Sequence, residues 1–181
     1  MGSVWSGIGT THICLALANY LCSKQGMKTA YVELNATNQI SSLGKTREAN
    51  TFRHKGISFF PNASVTSLTE ILRFDYQYFI LDMGVLNLHT LQEFLRCDKS
   101  FLICSPGKWR LNQTQEKINH LFKTQADQNQ MTVIMNLCEK ESHGQLAFPY
   151  LKNPFHLQPS NFYVFSQILE RNYLYIEDVL G

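Results

Sequence analysis

The stretch "GSVWSGIGTTH", Gly2 to His12, decides how this chain is read. Gly7 and Gly9 stand directly before Thr10 and Thr11, and an apolar pattern of helical spacing follows. A glycine turn that opens a helix aims backbone N–H groups and the positive helix end at an anion. A lysine ordinarily neutralises phosphate in such a turn, and the stretch has none. The glycines and the hydroxyls of an anion cradle are present, and its charge is absent.

Beyond the loop, strand and helix signals alternate. "TTHICLALANYLCSKQG" places Ile13, Leu17, Tyr20 and Leu21 at helical spacing, with Gly26 as a stop. "KTAYVEL" and "GISFFP" read as short apolar strands, and Ser64 can cap a helix in "SVTSLTEILRF". "YQYFILDMG" reads as a buried strand ending in Asp82. A helix in "HTLQEFLRC", a strand in "KSFLICS", a helix in "RLNQTQEKINHLFKTQ" and a strand in "TVIMNLC" continue the series. Strands that are apolar throughout, separated by helices, predict an α/β fold of three layers: a mostly parallel sheet with helices on both faces. Ligands of such sheets sit beyond the carboxyl ends of the strands, where Glu33, Asn35, Asp82, Ser105 and Asn136 fall.

The bulk properties narrow the class. A chain of 181 residues, 44% hydrophobic, can bury one sizeable core, so 1–181 is expected to be a single domain. A formal charge of +2 gives no general pull toward nucleic acid or acidic lipid. The five cysteines are scattered without C-x-x-C spacing, which suits small buried thiols in a reducing cytoplasm better than disulfides or zinc. No apolar run approaches the length of a membrane span, and a cytoplasmic protein is expected.

The run "SGIGTTH" with its helix, "KTAYVELN" and "FDYQYFILDMG" resemble the deviant Walker A ATPases of the MinD/ParA group, a SIMIBI-type P-loop family whose loop reads K-G-G-x-G-K-[ST]-[ST]. The order of elements matches from Gly2 to about Leu169, and "FPYLKNPFHL" falls where the group has a short strand and a closing helix. The resemblance places Gly7 and Gly9 at two family glycines, Thr11 at the Mg²⁺-binding hydroxyl and Asp82 at the Walker B position. Trp5 stands where the group has its signature lysine and Thr10 where it has the phosphate-binding lysine. Glu33-Leu34-Asn35 replaces the D-x-D pair, so the carboxylate that would orient a water is an amide. Asn136 is placed like an asparagine that reads adenine.

The resemblance therefore implies a nucleotide site of Gly7, Gly9, Thr10, Thr11, His12, Glu33, Asp82 and Asn136, holding ATP or ADP with Mg²⁺ on Thr11 and Asp82. Phosphoryl transfer depends on compensating charge on the phosphate oxygens, so a loop without either lysine is expected to hydrolyse ATP poorly or not at all, and no residue is assigned as catalytic. The function expected is that of a degenerate, pseudo-ATPase scaffold or positioning component of a bacterial assembly, with a protein partner and a homodimer as further expectations. Nucleic acid is not indicated. The alternative is an enzyme completed by a cation from a partner or second subunit.

Blander readings stand beside these. The loop can be vacant inherited architecture with no cofactor, His12 an ordinary first-turn residue, Glu33 and Asp82 acceptors for loop N–H groups, and Asn136 common loop chemistry. Lys108 follows another strand end and reads either as a cation reaching toward the same crevice or as exposed, Trp5 and Trp109 read as an aromatic partner surface or as packing, and Lys45, Arg47, Arg53, His54 and Lys55 read as a solvated connection. The C-terminal "FSQILERNYLYIEDVLG" lacks a basic amphipathic face, so no direct membrane anchor is expected. Loops of this kind follow a buried strand, whereas only Met1 precedes Gly2. Either a strand upstream of the given sequence fills that place, which is the favoured expectation, or the first residues form a stunted one.

Overall fold

The computed structural model describes residues 1–44, 51–105, 110–122 and 131–136, and the backbone of 155–156. The chain runs β1 (Gly2–Ser3), α1 (Thr10–Ser23), β2 (Thr29–Glu33), a 3-10 turn (Ile40–Leu43), β3 (Phe52–His54), β4 (Ile57–Phe60), α2 (Val65–Ile71), β5 (Tyr78–Asp82), α3 (Leu88–Leu95), β6 (Ser100–Cys104), α4 (Leu111–Phe122), β7 (Met131–Met135) and β8 (Phe155–His156).

Two four-stranded ladders, β3-β4-β2-β5 and β1-β6-β7-β8, are parallel except for β3, which runs antiparallel to β4. They join where Ser3 bridges to Val85: Ser3 N donates to Gly84 O at 2.8 Å, and Leu86 N to Ser3 O at 2.8 Å. Met83 N also donates to Met1 O at 3.0 Å. The slot between β5 and β6 is thus filled by the first residues of the chain, as a strand of two residues.

The alternation of side chains across this layer divides the core in two. Tyr31, Ile57, Phe59, Ile80, Phe101, Ile103 and Ile134 pack with Ile13, Cys14, Leu17, Tyr20 and Leu21 of α1 on one face. Ala30, Val32, Phe60, Leu102, Val133 and Met135 pack on the other with Leu68 and Ile71 of α2, Leu91 and Phe94 of α3, and Ile118 and Phe122 of α4. Helices therefore cover both faces, which is why the strands carry continuous rather than alternating apolar runs.

Local chemistry sets the helix limits. Ser64 and Ser67 form a capping box at α2, Asn87 and Thr90 another at α3, and the chain leaves α1 through Gly26 at φ +67°. One strand is missing from the sequence reading. Phe52–His54, inside the supposed solvated connection, forms β3, because Phe52 stacks on Phe59 at 5.0 Å while Arg53, between Phe52 and His54, is exposed. The short strand expected within "FPYLKNPFHL" is present as Phe155–His156, parallel to β7. Lys45, Arg47, Lys108, Trp109, Cys138 and the expected closing helix lie outside the described residues. Among the described residues no helix is long and apolar enough to cross a membrane.

Candidate functional site

The loops leaving β1, β2 and β5 enclose a cleft of about 690 Å³, within the size range of small-molecule sites. Its floor is the loop between β1 and α1. Gly7 at φ +73° and Gly9 at φ +88° adopt left-handed backbone that side chains resist, and Gly9 is the residue preceding the helix. No side chain caps α1 and no acidic residue stands in its first turn, so the positive end of the helix is not offset there. Ser6, Gly7, Gly9, Thr10, Thr11 and His12 all line the cleft.

Among the described residues that line the cleft, none is Asp, Glu, Lys or Arg. Ser and Thr hydroxyls and the amides of Asn35, Gln39 and Asn87 supply its polar chemistry, and Trp5, Leu15, Leu34, Met83 and Val85 its apolar walls. Burial of His12 lowers its pKa from the ordinary 6.5, which favours the neutral ring.

Two carboxylates stand side by side behind this lining. Glu33 and Asp82 are Cα partners in the β2–β5 register, end their strands and are fully buried. Asp82 Oδ2 accepts from Thr11 Oγ1 at 2.6 Å and from Tyr31 Oη at 2.8 Å, and its Oδ1 accepts from Gly84 N at 3.0 Å. Burial pushes the Tyr31 hydroxyl well above its usual range, so it is protonated and donates. Glu33 Oε1 accepts from Gln39 N at 2.8 Å and Thr37 Oγ1 at 3.3 Å, and its Oε2 accepts from Asn62 N at 3.1 Å. Glu33 thus holds the loop after β2 and the turn after β4 in place. Glu33 itself is not among the residues that line the cleft.

Asn136, at the end of β7, is buried and donates from Nδ2 to Ile8 O at 2.8 Å. It braces the loop from below. A Cβ placed on Gly9 would stand 2.6 Å from that nitrogen, which is the second reason for glycine there. Asn35 lines the cleft, and its Oδ1 receives Thr37 N at 3.1 Å as well as the Thr37 hydroxyl.

Two cations of the described residues stand over the ring of Trp5. Lys117 Nζ of α4 lies 3.5 Å from the Trp5 ring centroid and donates to Val4 O at 3.3 Å, and the Arg110 guanidinium lies 5.1 Å from the same ring. The indole N–H donates to Thr114 Oγ1 at 3.0 Å. Trp5 is thereby tied to α4, with Lys117 and Arg110 beside its ring, and neither cation lines the cleft. Sequence reading did not single out Tyr31, Lys117, Arg110 or Thr114. They lie far along the chain from the residues they meet, and only Tyr31, a phenol in an otherwise apolar strand, carried a signal.

Solved structures with this architecture are numerous. A plasmid partition protein from Borrelia burgdorferi superposes with a TM-score of 0.67 at 14% identity, covering 99% of this chain and 95% of that one. The chain has the fold of the MinD/ParA-like P-loop ATPases. Cyanothece McdA in complex with ATP gives a TM-score of 0.60 at 16% identity, covering 98% of this chain and 92% of that one. The Aquifex aeolicus MinC:MinD cell division complex gives 0.59 at 16% identity, covering 82% and 72%. No protein-family model and no curated protein matches the chain.

The resemblance implies a divalent cation on Thr11 and Asp82. Thr11 lines the cleft and can offer a hydroxyl oxygen, whereas Asp82 is fully buried with each oxygen engaged by donors of the chain. No group of three or more His, Cys, Asp or Glu is gathered for a metal among the described residues. The carboxylate half of the implied metal site does not fit a metal as the side chains stand.

Proposed function

We propose that this chain is a nucleotide-binding member of a MinD/ParA-like positioning or assembly system in the bacterial cytoplasm, acting through a protein partner and without efficient ATPase activity of its own. One observation carries the reading: the glycine loop keeps its anion-holding backbone and a cleft of nucleotide size, but no ionised side chain of the described residues faces that cleft. Backbone N–H groups and the α1 terminus suffice to hold phosphate oxygens. They do not supply the cation that phosphoryl transfer requires. The ligand proposed is ATP or ADP. A protein partner is supported by the MinC:MinD assembly, which shares the fold.

The test is thermal unfolding with millimolar ATP, ADP or GTP, each with and without Mg²⁺. A ligand at ~100 times its Kd stabilises by about 2.7 kcal/mol, which in a domain of this size raises the midpoint by roughly 5–10 °C. A rise with adenine nucleotides and no phosphate release is the expected result. No shift with any nucleotide would make the loop vacant architecture. Phosphate release that appears only with a protein partner, and is lost in Asp82→Ala, would instead establish an enzyme completed in trans.

A further inference from the structure

The metal that the fold family implies meets a carboxylate on which this chain already places three donors. Asp82 Oδ2 takes both the Thr11 hydroxyl at 2.6 Å and the Tyr31 hydroxyl at 2.8 Å. A carboxylate offers about four lone-pair sites, two on each oxygen, so Oδ2 has none left for a metal or its bound water. Gly84 N takes one site on Oδ1 from the backbone of the next loop, at 3.0 Å, and the remaining Oδ1 site belongs to a side chain that is fully buried and does not line the cleft.

Thr11 alone would not make this arrangement lasting, since its hydroxyl lies at the cleft and is free to turn. Tyr31 is different. Its ring is fully buried in the β2 face that packs on α1, in contact with Phe59 at 5.3 Å between centroids, so its hydroxyl has no route to solvent. Leaving Asp82 would strand a buried phenol without a partner, a cost the ordinary rotation of a surface hydroxyl does not carry. Asp82 is likewise fully buried and does not line the cleft.

We propose that Tyr31 is a positioning residue that keeps Asp82 a metal-free carboxylate, so that the loop binds the phosphates of its nucleotide without a divalent cation. The proposal rests on the nucleotide reading for its ligand, but not for its statement about metal. It also fixes the ligand class more closely. With no lysine or arginine among the described residues that line the cleft, and no metal, a terminal phosphate gains no partner of opposite charge there, so ADP binds as well as ATP.

The test uses the whole chain and its Tyr31→Phe variant, which keeps the ring. Affinity for ADP is measured by calorimetry in Mg²⁺ and in EDTA. The wild-type affinity changes less than about twofold between the two, whereas Tyr31→Phe gains roughly tenfold with Mg²⁺, the scale of one hydrogen bond to a charged group. Loss of wild-type ADP binding in EDTA, or a variant that responds to Mg²⁺ no more than wild type, overturns the proposal. A second measurement needs neither nucleotide nor variant: Mn²⁺ is titrated into the wild-type chain while the amide resonances of Thr11 and Gly84 are followed. Their selective broadening overturns the proposal, and broadening no greater than that of distant amides supports it. Absence of nucleotide binding would sink the functional reading, leaving the Mn²⁺ result to decide this one.

Discussion

Gly9→Ala tests whether the loop owes its shape to Asn136 or only to its own backbone. The substitution has two costs that can be separated. Alanine at φ +88° is strained by about 1–2 kcal/mol. Its methyl would stand 2.6 Å from Asn136 Nδ2, so the amide must move and release the buried Ile8 carbonyl it holds at 2.8 Å. Leaving such buried groups unpaired costs a further 1–3 kcal/mol, roughly. Gly7→Ala is the control, because Gly7 has the same left-handed backbone at φ +73° but nothing within 4 Å of its added carbon. Urea unfolding should place Gly9→Ala about 1–3 kcal/mol below Gly7→Ala, and the gap should close when both are made in an Asn136→Ala background. Equal losses for the two glycines in the wild-type background would refute the bracing role of Asn136.

Glu33→Gln should cost about 2–4 kcal/mol in urea unfolding, since an amide NH₂ is forced against donors that now reach a carboxylate from Gln39, Thr37 and Asn62; a loss below about 0.5 kcal/mol would show that the carboxylate does not hold these loops. Acid sensitivity should be traceable to His12: its folded pKa lies below 6.5, so the unfolded chain takes up the proton first, and stability falls as pH drops through 6.5 and levels off beneath the folded value. His12→Gln should flatten that slope in a pH series of thermal midpoints, and an unchanged slope would assign it elsewhere. Cys14 is fully buried and its thiol is pushed well up by burial, so iodoacetamide at neutral pH should label it only as fast as the protein unfolds; modification in the native state, read by peptide mass mapping, would contradict that packing.

Much of the fold was legible because its causes are local and repetitive. Runs such as "AYV" and "YFIL" are continuously apolar because both faces of the sheet are covered, and the glycines of "SGIGTTH" mark a turn that uses left-handed backbone. Neither requires knowledge of distant residues. β3 escaped because one inward phenylalanine, Phe52, holds it against Phe59, and a single residue has no period.

What the sequence by itself determined is the alternating α/β layer, the loop that opens α1, and the absence of lysine from that loop. The tertiary structure alone decided what the polar residues do. Glu33, Asp82 and Asn136 all lie at strand ends, yet Glu33 binds two loops, Asn136 braces a third and Asp82 is closed off by a phenol 51 positions away in the chain. A hydrogen bond forms between whatever groups the packing brings within reach, and the order of residues along the chain does not encode that reach.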